Sequence, residues 1–451
     1  MLTFPKDFVW GTATASYQIE GAVHADGRGV SIWDTFSHTA GKILNGDSGD
    51  VADDHYNRWQ SDVGLRGDLG VGAYRFSAAW PRILPDGVGR INPAGLDFYD
   101  RLVDALLAKG ITPWVTLYHW DLPQALQDRG GWASRDTIEA FLTYTDIVTK
   151  RLGDRVKNWM THNEPWVVAF LGNLLGMHAP GYQDLGLALT VAHNVLVSHG
   201  RAVPIIRAAS QGAQVGIVPN PHAVIPASDS EEDALAAQRF DGFMNRWFLD
   251  PLYGRGYPED MLALYGPNVP TIHPGDMEAI ATPTDFLGVN TYAPGFVRAD
   301  PTSPLGFGQL SAEELAARGY ELTTMGWPVV PEGMQMLLER LYRDYAPAAL
   351  YIAENGAAFP DTVTDGAVHD PRRIAYLDGY LRSAHEAIAA GVPLKGYFVW
   401  SFMDNFEWSL GYSQRFGLVY VDYTTLERLP KDSAGWYRDV IAANGLPVLA
   451  S

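Results

Sequence analysis

No cysteine occurs among the 451 residues, which excludes disulfides, thiolate nucleophiles, thiolate zinc sites and iron–sulfur clusters together. Basic residues are also scarce: 33 Lys and Arg stand against 52 Asp and Glu, a formal net charge of −19. Such a surface repels phosphate backbones and anionic lipid, and no local basic patch interrupts it. Nucleic acid and membrane are therefore poor partners, and a small neutral molecule is favoured. Long apolar runs are missing too. The most apolar uncharged stretch, Trp166 to Gln183, contains Asn173, His178 and Pro180, and reads as a buried helix and loop rather than a membrane span. The opening MLTFPKDFVWGTATASYQIEG has no basic segment leading into an apolar one, and no Asn-x-Ser/Thr acceptor occurs, as expected of a cytoplasmic protein.

Motif absences narrow the chemistry further. There is no Gly-x-x-x-x-Gly-Lys-Ser/Thr, no Gly-x-Gly-x-x-Gly after a strand, no Gly-x-Ser-x-Gly and no His-Glu-x-x-His, so nucleotide-binding, nucleophile-elbow and zincin readings lose their support. His193 and His199 are six apart on an expected helix and so point to different faces, which argues against a metal pair. No cofactor and no metal is expected.

What is present is a regular alternation. Eight short β-rich runs recur: Phe8 to Ala13, Gly72 to Ser77, Pro113 to His119, Lys157 to Asn163, Gln214 to Asn220, Asp285 to Asn290, Leu350 to Glu354 and Lys395 to Trp400. Each is followed by a longer segment of helical periodicity. The clearest opens at Asn92-Pro93, an N-cap with Pro at the first helical position, carries Leu96, Tyr99, Leu102, Val103, Leu106 and Leu107 on one face, and stops at Gly110. No low-complexity tract, long charge run or linker divides the chain. The reading is α/β: one (β/α)8 TIM barrel with long βα loops over residues 1–451, with an open doubly wound sheet as the rival.

In a barrel the strand ends converge on one face, where the chemistry resides. The residues at or just past those ends are Gln18, Arg75, His119, Asn163 with Glu164, Asn220, Asn290, Glu354 and Trp400, all polar or aromatic. Glu164, in WMTHNEPW, and Glu354, in LYIAENG, each follow an apolar strand and precede a turn, Pro165 in one case and Asn355-Gly356 in the other. One such glutamate is readily a structural ion-pair partner. Two on different strands of one barrel, both beside Asn, suit the paired carboxylates that glycosidic bond cleavage requires. Aromatics make up 12% of the chain, and Trp120, Trp166, Trp327, Trp400 and Trp408 fall near loop ends, where indole planes can stack on sugar C–H faces; each alone is more often core. His119 is better read as a sugar hydroxyl contact than as a core histidine.

The motifs FVWGTATASYQIEG, YRFSAAWPRI, LYHWDLPQAL, THNEPW, GVNTY, YIAENG, GYFVWSFMDNFEWSLGY and RFGLVYVDY occur in that order, and with them the chain resembles glycoside hydrolase family 1, the β-glucosidase family. The resemblance implies a (β/α)8 barrel hydrolysing β-linked sugars with net retention, Glu164 as acid/base and Glu354 as nucleophile. It further implies that Gln18, His119, Asn163, Asn290, Tyr292, Trp400, Glu407 and Trp408 hold the substrate, that Arg75 and Tyr292 tune the nucleophile, and that Trp327 walls the leaving-group side. The implied substrate is an unphosphorylated β-glucoside or cello-oligosaccharide, with galactose or fucose tolerated and transglycosylation possible through the same intermediate. Relatives acting on 6-phospho-glycosides are expected to carry Ser, Lys and Tyr where this chain has Glu407, Gln414 and Phe416. Ala353 departs from the family, which usually has Thr or a larger residue before the nucleophile; strand alternation predicts a packing role for it. The rival of another class is a catalytically inactive barrel that binds sugar or protein, against which the presence of both glutamates argues.

Overall fold

The computed structural model describes residues 1–447; the last four residues of the expected barrel domain, 448–451, lie outside them. Eight parallel strands close on themselves: β1 Val9–Ala13, β2 Ala73–Ser77, β3 Thr112–Tyr118, β4 Asn158–Asn163, β5 Gln214–Val218, β6 Phe286–Asn290, β7 Leu350–Asn355 and β8 Leu394–Trp400. They follow one another around the barrel in chain order, with β8 pairing back onto β1. The eight β-rich runs are these strands, and closure rules out the open sheet. The strands are buried almost throughout, which explains why they read as near-continuous apolar runs rather than as alternating ones. Among the described residues, no helix is long and apolar enough to cross a membrane.

The lower barrel is filled by aromatics. Trp114 of β3 packs with Phe286 of β6, Tyr351 of β7 and Phe398 of β8 at centroid distances of 5.5, 4.7 and 5.2 Å. A β3 side chain can touch three strands on the far side only through the interior, so this cluster plugs the barrel and leaves the C-terminal face for the site.

Local signals hold with two corrections. Helix Pro93–Ala108 begins with Pro at its first position and ends before Gly110, which takes a φ of 73°. Leu107, expected on its apolar face, is 41% exposed. Asn92 occupies the cap position but does not cap; its amide donates to the backbone carbonyls of Asp26 and Arg82. The stretch Trp166 to Gln183 opens with a wide helical turn over Val167–Leu171 and continues as irregular chain over the mouth of the barrel.

Three register slips interrupt the barrel ladder next to the paired glutamates, one of them along β7 and β8 between Ile352 and Asn355. Along β4 and β5 the pairing slips between Met160 and Asn163, and along β6 and β7 between Ile352 and Glu354. Bulges of this kind turn the strand and re-aim the side chains beside them. One slip lies just before Glu164 and the other two at Glu354.

Candidate active site

Glu164 and Glu354 open into one cavity of about 950 Å3 at the C-terminal face of the barrel. His119, Asn290, Tyr292, Trp327, Trp400, Glu407 and Trp408 line it as well, as do Trp120 and Trp166. Gln18, Arg75 and Asn163 are buried outside its wall; Arg75 bonds Glu354 and Asn163 bonds His119 and Asn290, whereas Gln18 bonds only Asn405 and the Phe406 carbonyl, next to Glu407. Arg75 is not at a strand end, as expected, but in the middle of β2, one layer deeper. That depth lets it project across the barrel under Glu354.

The two carboxylates have opposite surroundings. Arg75 Nη1 donates to Glu354 Oε1 at 2.5 Å, and Tyr292 Oη donates to Glu354 Oε2 at 2.7 Å. Arg75 is itself fixed, donating through Nη2 to Asn163 Oδ1 at 2.6 Å and through Nε to Thr116 Oγ1 at 3.1 Å. Glu164 has a single side-chain donor, the neutral Asn290 amide, whose Nδ2 is 2.6 Å from Oε1. Burial, then the charge of Glu354, pushes the Glu164 carboxyl up to about 8. Burial also raises Glu354, but Arg75, Tyr292 and Asn290 all favour its ionised form. Glu354 is accordingly the member that holds the charge and Glu164 the member that keeps the proton.

Backbone geometry fixes both groups. Glu164 has φ 47°, in the left-handed region that non-glycine residues seldom occupy, and Trp120 and Trp408 have φ values of 80° and 48°. Three cavity residues thus stand in costly conformations, held by their neighbours. Trp120 Nε1 donates to the Asn163 carbonyl at 2.9 Å, and the Trp408 ring lies 4.6 Å from Trp33 and 4.5 Å from Trp120. At the end of β7, the sequence presents Gly356 as part of a turn pair. It is required for a different reason, since a Cβ there would come within 1.7 Å of the Trp400 carbonyl oxygen on β8.

Hydrogen-bond accounting shows what the site offers a ligand. Asn163 Oδ1 accepts from both Arg75 and Asn290, so its amide faces His119 and donates to Nε2 at 3.0 Å. Burial, and after it the charge of Arg75, keeps His119 neutral by moving its pKa well below the usual range. Its Nδ1–H is then a buried donor without a partner. Gln18 spends its amide on Asn405 Oδ1 and the Phe406 carbonyl, both at 2.9 Å, and leaves Oε1 unpartnered. Asn290 Oδ1 and Glu407 Oε2 are likewise enclosed and unpaired. Burial, followed by the Glu354 charge, raises Glu407 to about 8. Unpaired buried donors and acceptors interleaved around two carboxyls suit a neutral polyol, whose hydroxyls both give and accept.

Several contributors escaped the sequence reading. Asn405 orients Gln18 and is itself tied to Ser401 Oγ at 2.9 Å. Asp404, fully buried, accepts from Arg415 at 2.5 Å, Lys431 at 2.7 Å and the Gly417 amide at 2.9 Å, pinning the loop that carries Glu407 and Trp408. Tyr376 and Tyr380 donate to the Tyr292 carbonyl at 3.0 and 2.7 Å and so fix the nucleophile's phenol partner. The motif MDNFEW is the only local signal for the first two; nothing local marks the tyrosines. Ala353 is fully buried beside Gly288 of β6, where an added Cβ would stand 3.4 Å from its own, consistent with a packing role. His193 bonds Tyr257 and Asp276, and His199 bonds Thr161, so each is satisfied separately. Of the three positions singled out for phosphate, Glu407 and Phe416 line the cavity, whereas Gln414 lies outside its wall and accepts from Thr324 at 2.6 Å.

The Glycosyl hydrolase family 1 profile matches residues 1–446. Beta-glucosidase A of Thermotoga maritima is 52% identical over 445 residues, which cover 98% of each chain. A bifunctional beta-D-glucosidase/beta-D-fucosidase of Bifidobacterium breve is 45% identical over 467 residues, again 98% of each. The solved structure of the Thermotoga maritima family 1 glycoside hydrolase complexed with a cyclophellitol analogue transition state mimic is 51% identical, covers 99% of each chain and matches with a TM-score of 0.96.

Proposed function

The chain belongs to glycosyl hydrolase family 1, and from that premise we propose that it is a retaining β-glucosidase in which Glu354 is the nucleophile and Glu164 the acid/base. The observation that carries this assignment is the asymmetry of the pair: Glu354 is held by Arg75 and Tyr292, and Glu164 by a neutral amide alone. Glu354 attacks the anomeric carbon while protonated Glu164 gives its proton to the leaving oxygen. The resulting glycosyl-enzyme is opened by a water that Glu164, now ionised, deprotonates, and the second inversion restores the β configuration. The Asn290 amide touches Glu164 and also favours ionised Glu354. One amide serving both carboxyls supports the short separation, about 5 Å, of a retaining pair rather than the wider gap that admits a water.

Gln18, His119, Asn163, Asn290, Trp400, Glu407 and Trp408 are read as the glucose cradle, and Trp327, whose ring lies 5.2 Å from that of Tyr292, as a wall on the leaving-group side. The substrates are terminal β-glucosyl residues of unphosphorylated β-glucosides, cellobiose among them. Fucosides are a second expected class, given the bifunctional relative. A phosphate dianion beside Glu407 would meet an acidic group and no cation in the cavity wall. Residues 1–451 are taken as one catalytic unit. The test is turnover of an aryl β-D-glucoside followed by NMR, with the 6-phospho analogue in parallel. β-D-glucose should appear first, and the unphosphorylated substrate should be favoured at least about 100-fold, or about 2.7 kcal/mol. α-D-glucose as first product, or no turnover, would overturn the reading.

A further inference from the structure

Asn355 directly follows Glu354 on β7, and because successive side chains of a strand take opposite faces, its amide turns away from the cavity that Glu354 enters. It is not part of the cavity wall, and neither are Tyr376, Tyr380 and Tyr397; all four are at most 2% exposed. Every polar atom of the Asn355 side chain is nevertheless engaged. Nδ2 donates to the Thr291 carbonyl at 2.6 Å and to Tyr376 Oη at 3.0 Å, and Oδ1 accepts from Tyr397 Oη. A carbonyl only accepts, so the amide can face one way, and the donors run in sequence from Tyr397 to Asn355, to Tyr376 and finally to the Tyr292 carbonyl at 3.0 Å. Tyr380 lies one turn after Tyr376 on helix Pro371–Ala389, stacks on it with ring centroids 4.1 Å apart, and donates to that same carbonyl at 2.7 Å. Burial raises the Tyr376 and Tyr397 phenols well above their usual range and Tyr380 up to about 12, so all three stay donors.

Residues 290–292, gripped in this way, carry a donor to each catalytic carboxyl. The Asn290 amide reaches Glu164 Oε1 at 2.6 Å, and the Tyr292 phenol reaches Glu354 Oε2 at 2.7 Å. Between them, the Thr291 backbone amide donates to the Glu354 carbonyl at 3.1 Å. Resting on the β-glucosidase reading, we propose that Asn355 and Tyr376 are positioning residues for the reaction, which hold residues 290–292 as one strap and so aim the donors of the acid/base and of the nucleophile together. Both side-chain donors favour the ionised form of the carboxyl they touch. Loosening the strap therefore changes both carboxyls in one direction, toward tighter proton binding. Arg75 and Glu407, the other charged groups that act on the pair, lie outside the strap. A general loss of stability would lower the amount of active enzyme and leave the proton affinities where they were.

The experiment compares the pH dependence of kcat/KM on an aryl β-D-glucoside in wild type, Asn355→Ala, Tyr376→Phe and Tyr380→Phe. In Asn355→Ala both the acidic and the basic limb should move about 0.5 pH unit toward alkaline pH. Tyr376→Phe keeps the ring and removes only the hydroxyl; both limbs should move the same way by a smaller amount, and this variant decides the matter if Asn355→Ala does not fold. Tyr380→Phe loosens only the Tyr292 end of the strap, so the acidic limb alone should move. Limbs at their wild-type positions in folded Asn355→Ala or in Tyr376→Phe, or movement of the acidic limb alone in those two variants, would overturn the proposal. NMR titration of the carboxyl carbons in glutamate-labelled protein, with Glu164→Gln and Glu354→Gln assigning the two signals, reads the same proton affinities without turnover. Absence of turnover in the wild type would overturn the β-glucosidase reading instead, and this titration would still decide whether the strap governs both carboxyls.

Discussion

Asn290 donates to Glu164 across 2.6 Å, and its backbone is the register partner of Glu354 on the neighbouring strand. One neutral residue therefore ties the proton donor, through a side-chain bond, to the strand of the nucleophile, through backbone pairing, and holds the pair rigidly. This rigidity gives the titration behaviour of the pair a structural basis.

The pH profile of kcat/KM should be bell-shaped. Its acidic limb belongs mostly to Glu354, which must be ionised, and its basic limb mostly to Glu164, which must be protonated and has been pushed up to about 8. In Glu164→Gln, assayed on an activated aryl glucoside, the basic limb should vanish and the acidic limb should remain. Persistence of the basic limb would assign it to another group.

Stability should carry the same signature. Glu164 moves from an ordinary value of 4.5 to about 8 on folding, so across that window the folded chain holds a proton that the unfolded chain releases. Its contribution is favourable at low pH and is lost as pH rises. Glu164→Gln removes the penalty and should stabilise the fold near pH 8 by about 1–3 kcal/mol, with a smaller effect near pH 5. Urea denaturation at both pH values measures this, and a gain larger at the acidic value would contradict the sign.

The two glutamates should fail differently. Glu354→Ala should abolish hydrolysis for every leaving group, and azide should restore turnover with the inverted glycosyl azide as product. Glu164→Ala should spare glycosylation when the leaving group needs no proton and depress it by about 10²–10⁴-fold when it does. Equal losses on both kinds of substrate would remove Glu164 from the acid role.

Asn405 should behave as a positioning residue for Gln18. Each single replacement by Ala should lower kcat/KM about tenfold, and the double variant should be little worse than either, because both remove the same oriented amide. The coupling should amount to about 1 kcal/mol. Additive losses would mean that Asn405 acts on the loop as a whole rather than through Gln18.

The sequence by itself determined the barrel and most of its cargo. Eight apolar runs separated by periodic helices admit few topologies, and residues at strand ends converge once the sheet closes, so Glu164, Glu354, His119 and Asn290 were legible as a set. Trp120, Trp166, Trp327, Trp400 and Trp408, expected near loop ends, line the cavity. What it could not yield was anything that depends on the packing of distant segments. Arg75 acts from the middle of a strand because it crosses the barrel interior, a distance invisible along the chain. Gln18 meets Asn405 across 387 positions, and Asp404 meets Lys431 through a loop that no periodicity marks. The left-handed backbone at Glu164, and the register slips beside both carboxylates, are imposed by neighbouring strands against local preference. Local propensity operates over a few residues, and so reports elements and their ends. Proton affinities, amide orientations and side-chain aim depend on charges and partners brought within a few ångströms by closure of the barrel, and only the tertiary structure supplies them.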